Sequence, residues 1–411
     1  MFYGQHKFSR TSYKIYKRKQ ENMSTIEAKI IKITNIKSHP NADKLEIVLP
    51  NGEGGFECVV GLGQFSENDL AIYIMPDSVI TEEMSATLME RSKIQIKNGR
   101  IRPIKIRNIL SEGLCLNPEE WLNHPVQEDD DVTEELGITK YEPPPRSSSS
   151  LRSGKGINFN YKNENFKEYY CVEKFKKCPK VLAELNPEVV ATIKYHGTNF
   201  RCGWVKKPEY KKTWWQKFIS LFVKKNPQEF LVGSHNKIKF PTKDALKNGD
   251  YYNTDTWWRA AKKYDLESVT KQIVDHEAML HPDKDPPNVM LFAEVVGPGI
   301  QKGYDYGISA GEIEIRVFDI MIGGNYADWD TVVHLCNCFN LPVVDEVYRG
   351  PWHLDVTKKA AAIDIYNGKK YVREGVVIRS IKEAWHPKCG RVIFKYLNEA
   401  YLLDKTNSDY H

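Results

Sequence analysis

Residues 194–200 read Lys-Tyr-His-Gly-Thr-Asn-Phe, and the reading of this stretch decides the fold of the larger part of the chain. Before it runs Val189-Val190-Ala191-Thr192-Ile193, a short β-branched and apolar run of strand character. After it, Phe200 to Val205 alternate as a second strand. A lysine at a strand end, a glycine that turns the chain and a returning strand present one amine rigidly to a ligand. A lysine in a glycine turn is common by itself, and a solvated hairpin lysine is the bland reading. The complete string with Asn199 and Phe200 is far rarer.

Working outward, the chain supplies acids and bases at further strand ends. Leu291–Gly297 (LFAEVVG) reads as a strand carrying Glu294. Arg316–Ile320 (RVFDI) presents an aromatic, Phe318. Arg373–Arg379 (REGVVIR) places Glu374 before a β-branched run, and Val392–Tyr396 (VIFKY) carries Lys395. Phe230–Val232 leads into a turn at Ser234-His235-Asn236.

In this order the segments resemble the motifs of the covalent nucleotidyltransferases, the polynucleotide ligases and RNA capping enzymes. The K-x-H-G-T-N-F form, with His196 where DNA ligases carry aspartate, is similar to the RNA ligases of the phage and editing type. The resemblance implies that Lys194 is the nucleophile that becomes linked to AMP. It implies nucleotide contacts from Ile193, Asn199, Glu294, Phe318, Glu374, Val377 and Lys395, with Lys395 also catalytic. It places the RNA 5′-end at Ser234, His235 and Asn236, although many relatives carry arginine at the position of His235. Glu294 and Glu374 would hold Mg²⁺ or Mn²⁺, and ATP would be the nucleotide. Relatives often carry a second basic residue near Lys395. Here Ile393 and Leu397 flank it, so Arg391 is the substitute considered.

The chemistry asks for these residue types. Attack on an α-phosphate needs an unprotonated amine, and a lysine with an ordinary pKa of about 10.4 must be pulled down by neighbouring cations. A second lysine stabilises charge on the phosphate in the transition state. Carboxylates hold Mg²⁺ directly or through its waters. An aromatic face stacks on a purine.

The first part of the chain has a different grammar. Ile26–Ile36 mostly alternates, with a phase slip at Ile31 that suggests a bulge. Glu46–Leu49, Phe56–Val60 and Asp69–Ile74 read as strands. Lys93–Lys97 and Arg102–Ile106 are expected to pair across Asn98-Gly99. Short strands at this spacing suggest an OB-like barrel, a fold that commonly binds oligonucleotides. His39-Pro40-Asn41-Ala42-Asp43-Lys44-Leu45 resembles the opening of tRNA-binding OB modules. Residues 100–114 resemble the barrel end that precedes certain RNA ligases. A purely structural or docking barrel is the competing reading. Thr133 is expected to cap a short helix that Gly137 ends. Glu142, three prolines and four serines then form the clearest linker.

The expected fold is α+β: an N-terminal OB-like β-barrel followed by an antiparallel-sheet nucleotidyltransferase domain of the ATP-grasp-like DNA/RNA ligase type. We place a basic extension at 1–22, the OB-like domain at 23–141, the linker at 142–159 and the adenylyltransferase domain at 160–411. In the latter, Thr256–Lys263, Val269–Leu280, Thr331–Phe339 and Val356–Tyr366 are expected to be helical. An OB module placed first, with the bridge 131–144, resembles the family-5 RNA ligases. The chain runs 16 residues past Lys395, so we expect no OB domain there, unlike DNA ligases and capping enzymes.

The resemblance therefore implies an ATP-dependent RNA ligase that joins 3′-hydroxyl and 5′-phosphate ends through lysyl-AMP and an RNA-adenylate. The alternatives are a capping-type guanylyltransferase and an inactive RNA-binding protein with a ligase fold.

Composition bounds the rest. The 411 residues carry a net charge of +5, but six of the 59 basic residues and one of the 54 acids lie in 1–22, so the remainder is balanced. Global charge makes no case for nucleic acid; local patches must. Residues 1–22 read as a disordered extension, with a mitochondrial-type presequence as the alternative. The eight cysteines show no C-x-x-C pair, which leads us to expect reduced thiols in an intracellular, cytoplasmic setting. No apolar run reaches membrane-spanning length. Residues 206–225 hold seven lysines and one acid around Trp214, Phe218, Leu221 and Phe222. They read as a basic amphipathic helix that packs in the core or contacts RNA or an anionic membrane. We expect a monomer.

Overall fold

A computed structural model describes residues 26–92, 95–141, 161–208, 228–240 and 256–403. The extension 1–22, the linker 142–159 and, from residue 209 on, the basic segment 206–225 lie outside the described residues. The chain divides into two compact units, Met1–Pro143 and Pro144–His411.

In the smaller unit, Ala28–Lys32 pairs antiparallel with Leu70–Ile74, which pairs with Leu114–Leu116. A second sheet joins Ile36–Ser38, Leu45–Val48 and Cys58–Gly61. The phase slip at Ile31 is not a bulge, because the register from Ala28 to Lys32 is unbroken. Both faces of this strand are covered. Ile30 joins Ile72, Met84 and Leu88 in one core, and Ile31 joins Ile33, Phe56 and Tyr73 in another. A strand buried on both sides loses its alternation.

Two further expectations for this unit are corrected. The hairpin does not cross Asn98-Gly99; Ile104–Ile106 pairs with Ile109–Ser111 across Arg107-Asn108. Both turn residues have positive φ (46° and 71°), the conformation a two-residue hairpin needs. Asn98-Gly99 turns the chain instead beside Ile80, whose amide donates to the Gly99 carbonyl at 2.9 Å. The unit also contains a helix, Glu82–Ser92; Thr81 caps it by accepting from the Met84 amide at 3.1 Å, and Met84 and Leu88 are buried one turn apart. Thr133 starts no helix. Its hydroxyl accepts from the Glu27 and Ala28 amides at 3.0 and 3.1 Å, tying a turn onto the first strand.

The larger unit is built on two sheets. The first runs, in order, Glu173–Lys174, Ile393–Leu397, Gly375–Ser380, Glu188–Lys194 and Glu346–Pro351. The second runs Ile238–Lys239, Gln228–Gly233, Thr198–Lys206, Val289–Val296, Glu314–Ile322 and Asn325–Tyr326. Val190, Ile193, Phe200, Leu291 and Val317 form one core with Leu266 and Ile273 of the helix Leu266–Leu280 and Trp329 of the helix Trp329–Cys338. Phe175, Val189, Trp352 and Phe394 form a second, and Phe166, Tyr169, Met290 and Phe292 a third. The turn 195–197 links the first sheet to the second, so the decisive stretch is the point where the chain changes sheets. Among the described residues no helix is long and apolar enough to cross a membrane.

Val356–Tyr366 is not a helix. Leu354–Ala360 is a 3₁₀ segment, and Ile363–Tyr366 pairs with Lys369–Val372 across Asn367-Gly368. The alternation Ile363, Asp364, Ile365, Tyr366 before Asn-Gly is a hairpin signal that the helical reading overrode.

A buried ionic cluster ties the sheets together. Asp319, on Glu314–Ile322, accepts from Arg391 Nη1 at 2.5 Å and from the Tyr169 hydroxyl at 2.8 Å. Glu383 accepts from Arg391 Nη2 at 2.5 Å and from Arg379 Nη2 at 2.6 Å. Arg379 lies on Gly375–Ser380, across from the sheet that carries Asp319.

Candidate active site

Lys194 ends its strand opposite Gly375. This register puts its amine beside Glu374, and Lys194 Nζ donates to Glu374 Oε1 at 2.5 Å. The carboxylate side chain is 7% exposed and the lysine side chain 30%, so the amine stands at the mouth of the site with the acid beneath it. The second carboxylate oxygen, Glu374 Oε2, is buried without a hydrogen-bond partner and lies 3.8 Å from His196 Nδ1. His196 is itself buried and shares a hydrogen bond of 3.0 Å with the Tyr401 hydroxyl.

The same sheet supplies the second lysine. Thr192, Val377 and Lys395 lie side by side across three strands, on the opposite face from the buried Ala191, Ile378 and Phe394. Lys395 Nζ lies 3.9 Å from Cys171 Sγ. Burial pushes the Lys395 pKa down; Cys171 opposes this and the Lys194 charge reinforces it. The two lysines therefore repel each other across the site.

The other sheet brings Asn199 and Glu294, which are register partners with Arg316 beyond them. Glu294 comes close to the turn 195–197. A Cβ added to Gly197 would sit 2.7 Å from Glu294 Cγ and 2.3 Å from the Val295 carbonyl oxygen, so no side chain fits there. Asn199 Oδ1 is buried without a hydrogen-bond partner, an acceptor ready for a hydroxyl.

The remaining expected residues lie as follows. Phe318 is the extra residue of a bulge, since Phe292 pairs with Asp319 and Ala293 with Val317. Its ring meets Tyr169 edge-on with centroids 4.9 Å apart. The Ile193 amide donates to the Asp345 carbonyl at 2.9 Å, so that donor already has a partner within the chain. Ser234, His235 and Asn236 form the turn after Gln228–Gly233; the Ser234 carbonyl accepts from Arg201 Nε at 2.9 Å and its amide donates to Lys237. Arg391 does not substitute for a second phosphate-binding base. Its guanidinium is spent on Asp319 and Glu383 and covers the Tyr326 ring at 3.9 Å.

Two features escaped the sequence reading. One is the ionic cluster, whose members come from separate strands and show no pattern in sequence. The other is the enclosure of His196 by Tyr304, Tyr306 and Tyr401; the only signal was the pair Tyr304 and Tyr306 in a glycine-rich loop.

Among the described residues no three His, Cys, Asp or Glu side chains form a metal cage. Glu294 and the unpartnered Glu374 oxygen nevertheless suit a hard cation that keeps most of its shell as water and phosphate oxygen, as Mg²⁺ does.

A family model described as RNA ligase matches residues 187–397, from the strand before Lys194 to the strand that carries Lys395. The chain belongs to the RNA ligase family. An OB-fold domain model matches residues 27–118 of the same chain. No curated protein matches this RNA ligase. Among solved structures it is similar to Naegleria gruberi RNA ligase in several states. The form with pyrophosphate shares 20% identity at a TM-score of 0.63, covering 93% of this chain and 99% of that one. A lysine-to-alanine variant with ATP and Mn gives 20%, 0.63, 92% and 98%. A lysine-to-methionine variant with AMP and Mn gives 20%, 0.62, 92% and 98%. At this identity the likeness establishes the fold: an α+β ligase with an OB-fold domain before the sheet-rich nucleotidyltransferase domain.

Proposed function

We propose that this RNA ligase uses ATP to seal RNA 3′-hydroxyl and 5′-phosphate ends through a lysyl-AMP intermediate. The observation that carries the reading is the Lys194–Glu374 pair at 2.5 Å, with Lys395 on the same sheet face and Glu294 reaching the turn from the other sheet. The ATP, AMP and pyrophosphate named with the Naegleria structures support ATP as the nucleotide.

In the first step Lys194 Nζ attacks the α-phosphorus of ATP. A P–N bond forms, the bond to the bridging oxygen breaks, and pyrophosphate leaves. AMP then passes to an RNA 5′-phosphate, which breaks the P–N bond. A 3′-hydroxyl finally attacks that phosphate and AMP departs. The pairing with Glu374 holds Lys194 in place. The amine gives up its proton before it attacks the phosphorus. Glu294 and Glu374 would hold a divalent cation, which neutralises charge on the triphosphate. Asn199 offers its unpartnered oxygen to a ribose hydroxyl, Phe318 a face to the purine, Val377 a wall of the site, and the turn 234–236 a contact for the RNA 5′ end.

The test is incubation with α-labelled ATP and Mg²⁺, followed by a nicked RNA duplex. Label on the wild type, none on Lys194→Ala and sealing by the wild type are expected. Equal label on both proteins would end the reading, and label from GTP in place of ATP would move it to cap synthesis.

A further inference from the structure

The loop between the strands Val289–Val296 and Glu314–Ile322, residues 297–313, does more than connect them. It is a series of tight turns, with Gly299, Gly303, Gly307 and Gly311 all at positive φ. On one side it grips the nucleophile turn. Gln301 Nε2 donates to the Gly197 carbonyl at 2.7 Å, the Tyr306 hydroxyl accepts from the His196 amide at 2.7 Å, and the Tyr304 ring meets the His196 ring edge-on at 4.9 Å. On the other side it is fastened to the hairpin 363–372. Tyr304 donates to the Val372 carbonyl at 3.0 Å, Asn367 Nδ2 to the Gly307 carbonyl at 2.6 Å, and Lys369 pairs with Asp305 at 2.6 Å. The Tyr306 and Tyr371 rings stack at 5.5 Å.

That hairpin runs directly into Arg373 and Glu374. One loop therefore fixes both the turn that follows Lys194 and the strand that precedes its partner. Neither Gln301 nor Tyr306 belongs to the segments matched by residue type above. We infer that Gln301 and Tyr306 are positioning residues for the nucleophile: they set Lys194 against Glu374 and the α-phosphate without touching the nucleotide.

This inference rests on the lysyl-AMP reading, and the test separates the two. Wild type, Gln301→Ala, Gln301→Glu and Tyr306→Phe are compared in single-turnover self-adenylation over a range of ATP concentrations. Each is also given an RNA strand already adenylated at its 5′ end, whose sealing does not use the Lys194 amine. The adenylation rate should fall about tenfold in Gln301→Ala and Tyr306→Phe, since small displacements of a reacting group are costly. Gln301→Glu, which sets a carboxylate against the Gly197 carbonyl, should fall further. Half-saturating ATP and the sealing of pre-adenylated RNA should stay within about twofold, the signature of an effect on the chemical step alone. Unchanged adenylation in labelled variants overturns the inference, as does an equal loss in both assays or a loss confined to ATP affinity. A wild-type protein that takes no label overturns the lysyl-AMP reading as well.

Discussion

Replacing Asp319 by alanine should loosen the two sheets of the larger unit. Asp319 is wholly buried. It accepts from Arg391 at 2.5 and 3.3 Å and from Tyr169 at 2.8 Å, and Arg379 Nη1 lies 3.5 Å away. The cluster is balanced, with two guanidinium groups against the carboxylates of Asp319 and Glu383. Alanine leaves one buried positive charge uncompensated and the Tyr169 hydroxyl without this acceptor. Removing one side of a buried ion pair costs about 3–5 kcal/mol, because the remaining charge stays desolvated. For a unit of this size that lowers the unfolding midpoint by on the order of 10 °C. Tyr169→Phe, which removes the hydrogen bond to Asp319 and the longer one accepted from Arg391 Nη1 at 3.3 Å, should cost about 1.5–3 kcal/mol. Calorimetric or circular-dichroism melts at neutral pH measure both. An Asp319→Ala midpoint within about 1 °C of wild type would refute the argument that this cluster holds the sheets together.

Three further outcomes follow from the geometry. In Gly375→Ala the new Cβ would meet the Tyr396 carbonyl oxygen at 2.2 Å; the strand that starts beside Glu374 and the strand bearing Lys395 must part, at a cost of at least about 1–3 kcal/mol, and both the melting point and self-adenylation should fall. Lys395→Met should abolish sealing yet raise the melting point at neutral pH. Burial holds the folded-state pKa of Lys395 below its ordinary value of 10.5, so the charged form costs stability below that depressed value, and the advantage of the variant should shrink as pH rises toward 10.5. Asp305 is held down to about 2 from 3.8, first by Lys369, then by Tyr371 and the Gly307 amide. Its contribution is present in full above the unfolded value and lost as pH falls through 2, so the stability gap between wild type and Asp305→Asn should close in that window in acid melts.

What could be read from the sequence was the part in which a residue type and its strand are adjacent in the chain. Lys194, Glu294, Glu374 and Lys395 each stand on or beside a run of β-branched or apolar residues, and a fixed order of such runs carries information that no single run does. What could not be read was assembled across the chain. Asp319, Arg379, Glu383 and Arg391 come together only when two sheets face each other, and Gln301 meets Gly197 only after the chain has folded back. Local misreadings have local causes. The Val356–Tyr366 segment holds apolar residues at both helical and alternating spacing, and the Asn367-Gly368 turn decides between them. Ile30 and Ile31 are both buried because their strand lies between two cores, which no single periodicity describes. The Arg107-Asn108 hairpin lacks the glycine that marks most such turns, whereas Asn98-Gly99 has one and serves elsewhere.

The central claim is that one amine carries the nucleotide. Peptide mapping by mass spectrometry after incubation with ATP and Mg²⁺ tests it directly. The account predicts one adenylyl group, located on Lys194 and discharged when RNA with a 5′-phosphate is added. An adenylyl group on another residue, or a protein that seals RNA while Lys194 is never modified, would contradict it.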